Sequence, residues 1–362
     1  MSEWAYRRIR DLLNTSYAGE WGDPPSPGNA RVLRATDIDS DGRINGQGAL
    51  RQISPAAVQT KRLQHGDVML EASGGSPEKP VGRVAFYSGQ ESDGPFLTSN
   101  FYKTLRPAGD VDPKFLHWAL LRFYRQPDIL QYQQQTTGII NLKFQDYLDA
   151  KVRSPVARKE QKLIADILDT LDIQIQKTEA LIAKLEKVKE GLLHDLLTRG
   201  IDENGQLRPS PEQTPELYKD SPLGLIPREW CTACLSEISE KITDGTHQAV
   251  KTIAADETSV PFLYVSCVRN GKILWDQAAA ISRSDFLAIS KGREPHRGMI
   301  LYTAVGSYGH AAAVEKESHF SFQRHISCIS LKSKRAEPRF LSYFLNSPRS
   351  KRHADQVALG KH

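Results

Sequence analysis

A pair of cysteines two residues apart is the first feature of this sequence that suggests chemistry. Cys231 and Cys234 form a Cys-x-x-Cys motif, which can bind zinc or exchange disulfides. Zinc would need further ligands, and the sequence has no second Cys-x-x-Cys and no His-x₃₋₅-His pair at the chain distance of a zinc finger. A metal-dependent enzyme that uses this region therefore stays open as an alternative, without a complete ligand set.

A histidine in a turn is the second candidate. The segment Thr243-Asp-Gly-Thr-His247 contains Asp-Gly, a turn signal, and groups Asp, Thr and His side chains that donate and accept hydrogen bonds. A lone histidine can act as a general base, but no nucleophile or second carboxylate stands at a recognisable spacing from it. The alternative is a turn with a surface histidine.

The motifs of common enzyme classes are absent from the sequence. It contains no Gly-x-x-x-x-Gly-Lys-Ser/Thr, no Gly-x-Gly-x-x-Gly after a strand, no His-Glu-x-x-His and no Gly-x-Ser-x-Gly. The Asn-Pro-Pro-aromatic signature of base-modifying methyltransferases is also missing. We therefore expect a non-catalytic chain that binds no cofactor itself.

Polar loops and one basic pair supply the candidate binding residues. The stretch 73–83 is rich in glycine and serine, and the alternative for its first part is a structural loop that needs positive φ. The stretch 307–310 follows a similar apolar run later in the chain. The residues assigned to binding are Ser73, Gly74, Ser76, Lys79, Arg83, Asp244, Thr246, His247, Ser307, Tyr308, His310, Arg324 and His325.

An internal repeat must position these loops. Glu3-Trp4 followed by Ile9-x-Asp-Leu12 matches Glu229-Trp230 followed by Leu235-x-Glu-Ile238. Further matches occur in the same order, which indicates two copies of one domain. The paired stretches are 33–44 with 262–273, 65–75 with 296–309, 112–120 with 337–345, and 136–138 with 358–360.

Each copy has the local signals of a mixed α/β domain. Short runs rich in β-branched and aromatic residues, at 68–70, 83–87 and 326–331, predict strands. The stretches Asp112–Leu120 and Glu337–Leu345 carry proline near the start and apolar residues three and four apart, which predicts helices.

The region between the copies has a different pattern. From Lys159 to about Thr198 there is no proline, and apolar residues alternate at spacings of four and three, which predicts a coiled-coil helix. A roughly 38-residue helix would be about 57 Å long. The alternative is an amphipathic helix that lies across one domain. The predicted seam consists of Ile164, Leu168, Leu171, Ile175, Ile182, Leu185, Leu192 and Leu196.

Composition limits the class of protein. With 39% hydrophobic and 25% charged residues, the chain is expected to be globular, and it has no apolar run of 18 residues and no secretory signal. All four cysteines lie in the C-terminal half, so we expect a cytoplasmic protein without membrane contact. A net charge of +5 permits a polyanionic partner without requiring one.

The central block resembles the specificity subunit of Type I DNA restriction-modification enzymes. The resemblance is carried by NLKFQDYLDAKVRSPVARKEQKLIADILDTLDIQIQKTEALIAKLEKVKEGLLHDLLTRGIDENG at 141–205, by YKDSPLGLIPREW at 218–230, and by the Asp-Gly-Thr-His loop. It implies two target recognition domains that each read one half of an interrupted double-stranded DNA sequence, separated by helices that set the spacer length. It also implies docking of methyltransferase subunits and, through them, restriction subunits, which would bind S-adenosylmethionine, ATP and Mg²⁺.

The resemblance implies an α+β fold of two similar mixed α/β target recognition domains joined by a long coiled-coil helix. We expect the first domain at 1–155, the helix at 156–200, a linker at 201–220 and the second domain at 221–362. The family normally has a second helical region after the second domain, so we expect a chain truncated relative to it. An unpaired seam predicts self-association or dependence on a methyltransferase subunit. A coiled-coil adaptor that binds proteins and no DNA is the remaining alternative.

Overall fold

The computed structural model describes residues 3–76, 79–89, 94–136, 138–333 and 335–358. The chain divides into two compact units, Met1–Ala180 and Leu181–His362, each with helices and strands. Among the described residues, no helix has the length and apolar character needed to cross a membrane.

In its described residues, the first unit consists mainly of short strands and α-helices. Its helices are α1 (Pro55–Lys61), α2 (Pro113–Tyr124), α3 (Phe144–Asp149) and the start of α4 (Arg158–Thr198). Its strands are β1 (Trp4–Arg8), β2 (Leu13–Ala18), β3 (Ala30–Leu33), β4 (Ala49–Arg51), β5 (Val68–Glu71), β6 (Ser73–Gly75), β7 (Val84–Phe86), β8 (Phe96–Thr98), β9 (Tyr102–Pro107), β10 (Gln133–Thr136), β11 (Ile139–Leu142) and β12 (Lys151–Pro155).

The second unit follows the end of α4. Its further helices are α5 (Leu235–Ile238), α6 (Arg283–Ser290), α7 (Pro338–Leu345) and α8 (Pro348–Ala358). Its strands are β13 (Tyr218–Lys219), β14 (Ile226–Pro227), β15 (Ser239–Asp244), β16 (Val260–Leu263), β17 (Val268–Arg269), β18 (Lys272–Ile273), β19 (Ala279–Ile281), β20 (Ile300–Thr303), β21 (Ala311–Ala313), β22 (Ser321–Phe322) and β23 (Ile326–Leu331).

The same two sheets occur in both units. The first unit has a four-stranded sheet in the order β2-β9-β5-β7, and the second has β15-β23-β20-β21. The three-stranded sheet β4-β3-β8 corresponds to β19-β16-β22, and in each the first pair is antiparallel and the second parallel. This shared topology confirms the internal repeat and the mixed α/β fold. The match of 136–138 with 358–360 lies partly outside the described residues.

Helices α2 and α7, which follow β9 and β23, begin where the sequence predicts. Proline is the first residue of both α2 and α7, where its fixed φ suits a helix and its missing N–H costs no hydrogen bond. Asp112 and Glu337 precede them, and each side chain accepts backbone N–H groups of the first turn. Both helices place leucines in the core, including Leu116 in the first unit and Leu341 in the second.

The core of the first unit lies where the four-stranded sheet, α2 and β11 meet. Apolar side chains from the residues after β1 and from β5, β7, β9 and α2 form one cluster with buried residues of β11, α3 and β12. Tyr147 of α3 is fully buried in it and packs edge-on against Phe123 and Tyr132. The segment up to residue 155 is therefore packed with the sheets.

Helix α4 is continuous over 41 residues, which confirms the long central helix. Its docking on the first domain uses a polar face and not the apolar seam. Gln161 and Ala165 are its buried residues, while Asp169 accepts Trp118 Nε1–H (2.7 Å) and pairs with Lys114. One turn further, Asp172 pairs with Arg43 at 2.6 Å, and all these contacts lie inside the first unit.

The predicted seam of α4 is exposed. Ile164 and Leu168 are half-buried, and the remaining residues of the predicted seam are exposed. The apolar side chains thus form a surface and not a core. They are Leu171, Ile175, Ile182, Leu185, Leu192 and Leu196.

Candidate nucleic-acid interface

Three loops meet at one edge of the second unit. The first loop, 244–247, follows β15, and Thr246 N–H donates to Phe322 O (3.0 Å) at the end of β22. Arg324 N–H returns a hydrogen bond to Thr246 O (3.1 Å), which joins the first loop to the connection between β22 and β23. Gly245 permits this approach, because a Cβ atom there would lie 2.2 Å from Phe322 O. A shared backbone network therefore positions both loops.

The third loop, 304–310, is tied to the same edge. Ala304 N–H donates to His325 O (2.9 Å), while Thr303 N–H donates to His310 O (2.8 Å) and closes the loop on itself. The structure therefore brings together all the candidate residues predicted for the second copy. We call this set the second edge: Asp244, Thr246, His247, Ser307, Tyr308, His310, Arg324 and His325.

The polar side chains of the second edge differ in how firmly they are held. His247 Nε2 lies 2.5 Å from Asp244 Oδ2, and this hydrogen bond holds the pKa of Asp244 below its usual value. Arg324 is exposed, and its Nε–H donates to His325 Nε2 (3.3 Å). Arg324 thus presents an exposed guanidinium next to the His325 ring.

The remaining residues of the second edge lie beside α8. Tyr308 O–H donates to Asp355 Oδ1 (2.8 Å), and this hydrogen bond raises the pKa of Tyr308. Burial lowers the pKa of His310, and the charges of Arg269 and Lys351 lower it further. The neutral imidazole is therefore favoured at His310, in a basic neighbourhood. Ser307 is exposed.

The first unit has an edge with the same backbone connections. Glu20 N–H donates to Thr98 O (2.7 Å), as Thr246 does to Phe322, and Gly19 occupies the position of Gly245, where a Cβ atom would lie only 2.1 Å from Ser99 O. The connection between β8 and β9 corresponds to the one that carries Arg324. Its exposed residue Phe101 accepts Ala72 N–H (2.7 Å). We call the set Glu20, Trp21, Asn100, Phe101 and the residues 72–76 and 79–82 the first edge.

Sequence reasoning missed most of the first edge. A signal was available, since Trp4 and Trp230 are separated by 226 residues and the same separation places Gly19 on Gly245 and Trp21 on His247. Only the glycine is shared between the two loops, so the loop of the first copy has no recognisable motif.

The described residues of the stretch 73–79 are held by backbone pairing. Ser76 and Lys79 exchange backbone hydrogen bonds of 2.9 and 3.0 Å, and Ser73 lies in β6. Gly74 has φ of +104°, which agrees with the alternative of a structural glycine. Ser73, Ser76 and Lys79 remain at the surface beside Phe101.

Arg83 is placed in the interior and not at the first edge. Its guanidinium pairs with Glu71 (3.0 Å), donates to Ile38 O (2.8 Å) and contacts the hydroxyl of Tyr102. Burial raises the pKa of Glu71, although the charge of Arg83 opposes this shift. Because these partners engage both terminal nitrogens of its guanidinium, Arg83 stabilises the packing of the first unit, and we leave it out of the interface.

The cysteine motif has a structural position. Cys234 is the N-cap of α5, and its backbone N–H donates to Glu237 Oε2 (2.8 Å), while Cys231 is exposed. In the part of the chain that the structure describes, no group of three or more His, Cys, Asp or Glu side chains has the arrangement of a metal site. The structure thus offers no support for the metal-dependent alternative.

Comparison with known proteins identifies the family. A family model described as "Type I restriction modification DNA specificity domain" matches residues 1–187, more than half of the chain. The chain belongs to this family. In this chain, the two edges are places where equivalent backbone connections carry different side chains.

Two curated relatives and one solved structure illustrate the similarity. The chain is 26% identical over 267 residues to the putative type I restriction enzyme MjaX specificity subunit of Methanocaldococcus jannaschii, covering 72% of this chain and 59% of that protein. It is 24% identical over 191 residues to the type I restriction enzyme EcoBI specificity subunit of Escherichia coli, covering 52% and 40%. The chain thus spans less than two thirds of the length of each of these relatives.

The fold agrees with a crystal structure of the S subunit of a Type I restriction-modification system from M. genitalium. The TM-score is 0.57 at 14% sequence identity, covering 99% of this chain and 80% of that chain. At this identity the similarity shows the fold alone.

Proposed function

We propose that this chain is the non-catalytic DNA-recognition subunit of a Type I restriction-modification system and that its two domains read the two halves of a bipartite target. The observation that carries this proposal is the pair of equivalent edges. Their backbone hydrogen bonds correspond, whereas their side chains differ, with Trp21 and Phe101 in the first edge where His247 and His325 stand in the second. A shared framework with different contact residues suits two different DNA sequences.

The second edge has the chemistry of direct base readout. Arg324 presents an exposed guanidinium, and a bidentate contact of arginine with O6 and N7 of guanine is the commonest specific contact in the major groove. Lys351 of α8 adjoins the third loop at Gly309, and α8 also carries Arg349 and Arg352, so this helix provides charges for phosphate contacts. Phosphate contacts would set the position of the protein, and Arg324 and its neighbours would read the bases.

Helix α4 provides the surface that we propose for subunit contacts. In the second unit, its exposed leucines form a groove of about 670 Å³ with Trp230, Phe340 and Tyr343. An apolar surface of this kind favours a protein partner. We propose methyltransferase subunits as partners, with restriction subunits bound through them, and self-association when they are absent. S-adenosylmethionine, ATP and Mg²⁺ would then be bound by those partner subunits.

The proposal is tested by selecting duplexes from a random DNA library with the full chain at a fixed salt concentration. We expect a bipartite sequence, with Arg324→Ala losing the preference for one guanine by roughly 5- to 150-fold because a bidentate contact contributes about 1–3 kcal/mol. The matched control is Arg335→Ala, which removes the same charge beyond the other end of β23. A wild-type chain that binds random DNA without selecting any sequence would refute the proposal, and no DNA binding would support the coiled-coil adaptor.

A second experiment addresses the complex. The chain is co-expressed with methyltransferase subunits, and the methylated positions of the host DNA are sequenced. We expect a bipartite motif containing adenine, and Arg324→Ala should alter only one half of it.

A further inference from the structure

The first unit has a sheet for which the described part of the second unit has no counterpart. Strands β6, β11 and β10 form an antiparallel three-stranded sheet, and in the second unit the chain after α7 forms α8 instead. Both units otherwise share their topology, so this added sheet is a difference between the two copies. It begins directly after β5, at the first edge.

One face of the added sheet carries a row of hydrogen-bonding side chains. Gln134 lies opposite Asn141, and Asn141 lies opposite Ser73, so the three residues are in register across the strands. Directly opposed residues in antiparallel strands project from the same face. We call these three residues the amide row.

The opposite face of the sheet is turned toward the core. Ile140 and Leu142 are buried in the core of the first unit. The side chain of Gln133 accepts Val81 N–H (2.9 Å) and donates to Val81 O (3.0 Å), which satisfies backbone groups inside the domain. Because residues alternate between faces, burial of these side chains leaves Gln134 on the outside, where it is exposed.

A bulge holds the amide row in place. The register shifts between Ile140 and Asn141, so that Gly75 and Ser73 face consecutive residues and Gly74 is the extra residue, with its positive φ. Ser73 is thereby brought opposite Asn141, and Ser73 Oγ donates to Asn141 Oδ1 at 2.6 Å. This contact fixes which edge of the Asn141 amide faces Ser73.

The amide row continues the first edge. Phe101 O accepts the N–H groups of both Ala72 (2.7 Å) and Ser73 (3.1 Å), so exposed Phe101 adjoins the row. Lys79 and Lys143, on the segments next to β6 and β11, are also exposed. The polar row is suited to contact base edges in a DNA groove, and the flanking positive charges are suited to contact the phosphates.

We propose that the first domain reads an adenine in its half-site through the side-chain amide of Gln134, with Asn141 and Ser73 as positioning residues. A carboxamide offers one donor and one acceptor, which match N7 and the N6 amino group of adenine in the major groove, and a two-stranded β-ribbon fits that groove. The described part of the second domain has no such row and presents Arg324, whose preferred base is guanine. This inference rests on the proposed function and adds a base class to the first domain.

The test uses the full chain in the same library selection, with the variants Gln134→Ala and Gln134→Glu. Gln134→Ala should lose preference for one adenine in one half-site by roughly 5- to 150-fold and leave the other half-site unchanged. Gln134→Glu should replace that adenine preference by cytosine, because a carboxylate accepts from the cytosine N4 amino group. The matched control is Gln131→Ala, which changes an exposed glutamine outside the row.

The outcomes separate this inference from the proposed function. A wild-type chain that selects a bipartite sequence, together with Gln134 variants that select the same bases, overturns the adenine assignment and leaves the proposed function standing. A wild-type chain that selects no sequence overturns both. Equal loss at both half-sites in Gln134→Ala also contradicts the inference, whereas a change from adenine to cytosine in Gln134→Glu supports it even if Gln134→Ala is poorly folded.

Discussion

The junction between α4 and the first domain depends on one buried glutamine. Gln161 is fully buried, and its side-chain Oε1 accepts Asp112 N–H (2.8 Å) while its Nε2–H donates to Pro155 O (2.9 Å). One amide thus connects the start of the long helix with the N-cap of α2 and the end of β12. We predict that Gln161→Ala destabilises the first unit strongly.

The expected magnitude follows from the groups that lose their partners. Asp112 N–H is left unsatisfied, at a cost of about 1–3 kcal/mol. Pro155 O keeps its hydrogen bond from Ser154 Oγ (3.0 Å) and loses only the one from Gln161, worth about 0.5–1.5 kcal/mol, so the free energy of unfolding should fall by about 1.5–4.5 kcal/mol. With a urea dependence of roughly 2 kcal/mol per molar, the midpoint should fall by about 0.8–2.2 M. Gln174→Ala, on an exposed position of the same helix, is the control and should change stability by less than about 0.5 kcal/mol.

The assay must report on the first unit alone, because a chain with two units need not unfold in one step. Pulsed hydrogen exchange at increasing urea, read by mass spectrometry on peptides of α2 and β12, gives the midpoint for this region. Midpoints for Gln161→Ala and Gln174→Ala that agree within about 0.3 M would refute the reasoning, since a difference of at least roughly 0.8 M is expected.

Three further predictions concern other parts of the chain. Burial lowers the pKa of His117 to about 4, so the stability that is present above about pH 6.5 should be lost as the pH falls toward 4, by up to about 3 kcal/mol. The variant His117→Gln should remove this pH dependence, which is measured by urea unfolding at several pH values. Gly245→Ala should destabilise the second unit by about 1–3 kcal/mol, because the added Cβ would overlap a strand carbonyl. Gly191→Ala in α4 should instead stabilise the protein by about 0.5–1 kcal/mol, because alanine has the higher helix propensity and its Cβ meets no other atom. Thermal unfolding of both variants checks these opposite signs. Leu192→Gln should reduce self-association in sedimentation, while Lys187→Gln should leave it unchanged, and equal sedimentation of both variants and the wild type would contradict a role for the groove.

The sequence by itself determined the repeat, the long helix and the starts of α2 and α7. These features depend on neighbouring residues. Proline and an acidic cap act within one turn, and the spacing of apolar residues in α4 sets its periodicity without any contact elsewhere. The ordered matches between the copies predicted equal topology because equal local patterns fold alike.

Only the tertiary structure decided which polar residues face outward. Arg83 follows a glycine-rich loop in the sequence, which made it a candidate for DNA contact. In the structure its side chain is instead bound inside the first unit by Glu71 and by Ile38 O, which is 45 residues away in the sequence. Gln133 and Gln134 are adjacent residues of the same type, but side chains alternate between the two faces of a strand. Gln133 therefore binds backbone groups of Val81 inside the domain, while Gln134 is exposed. Register, bulges and burial arise from pairing between distant segments, and a single sequence does not state which segments pair.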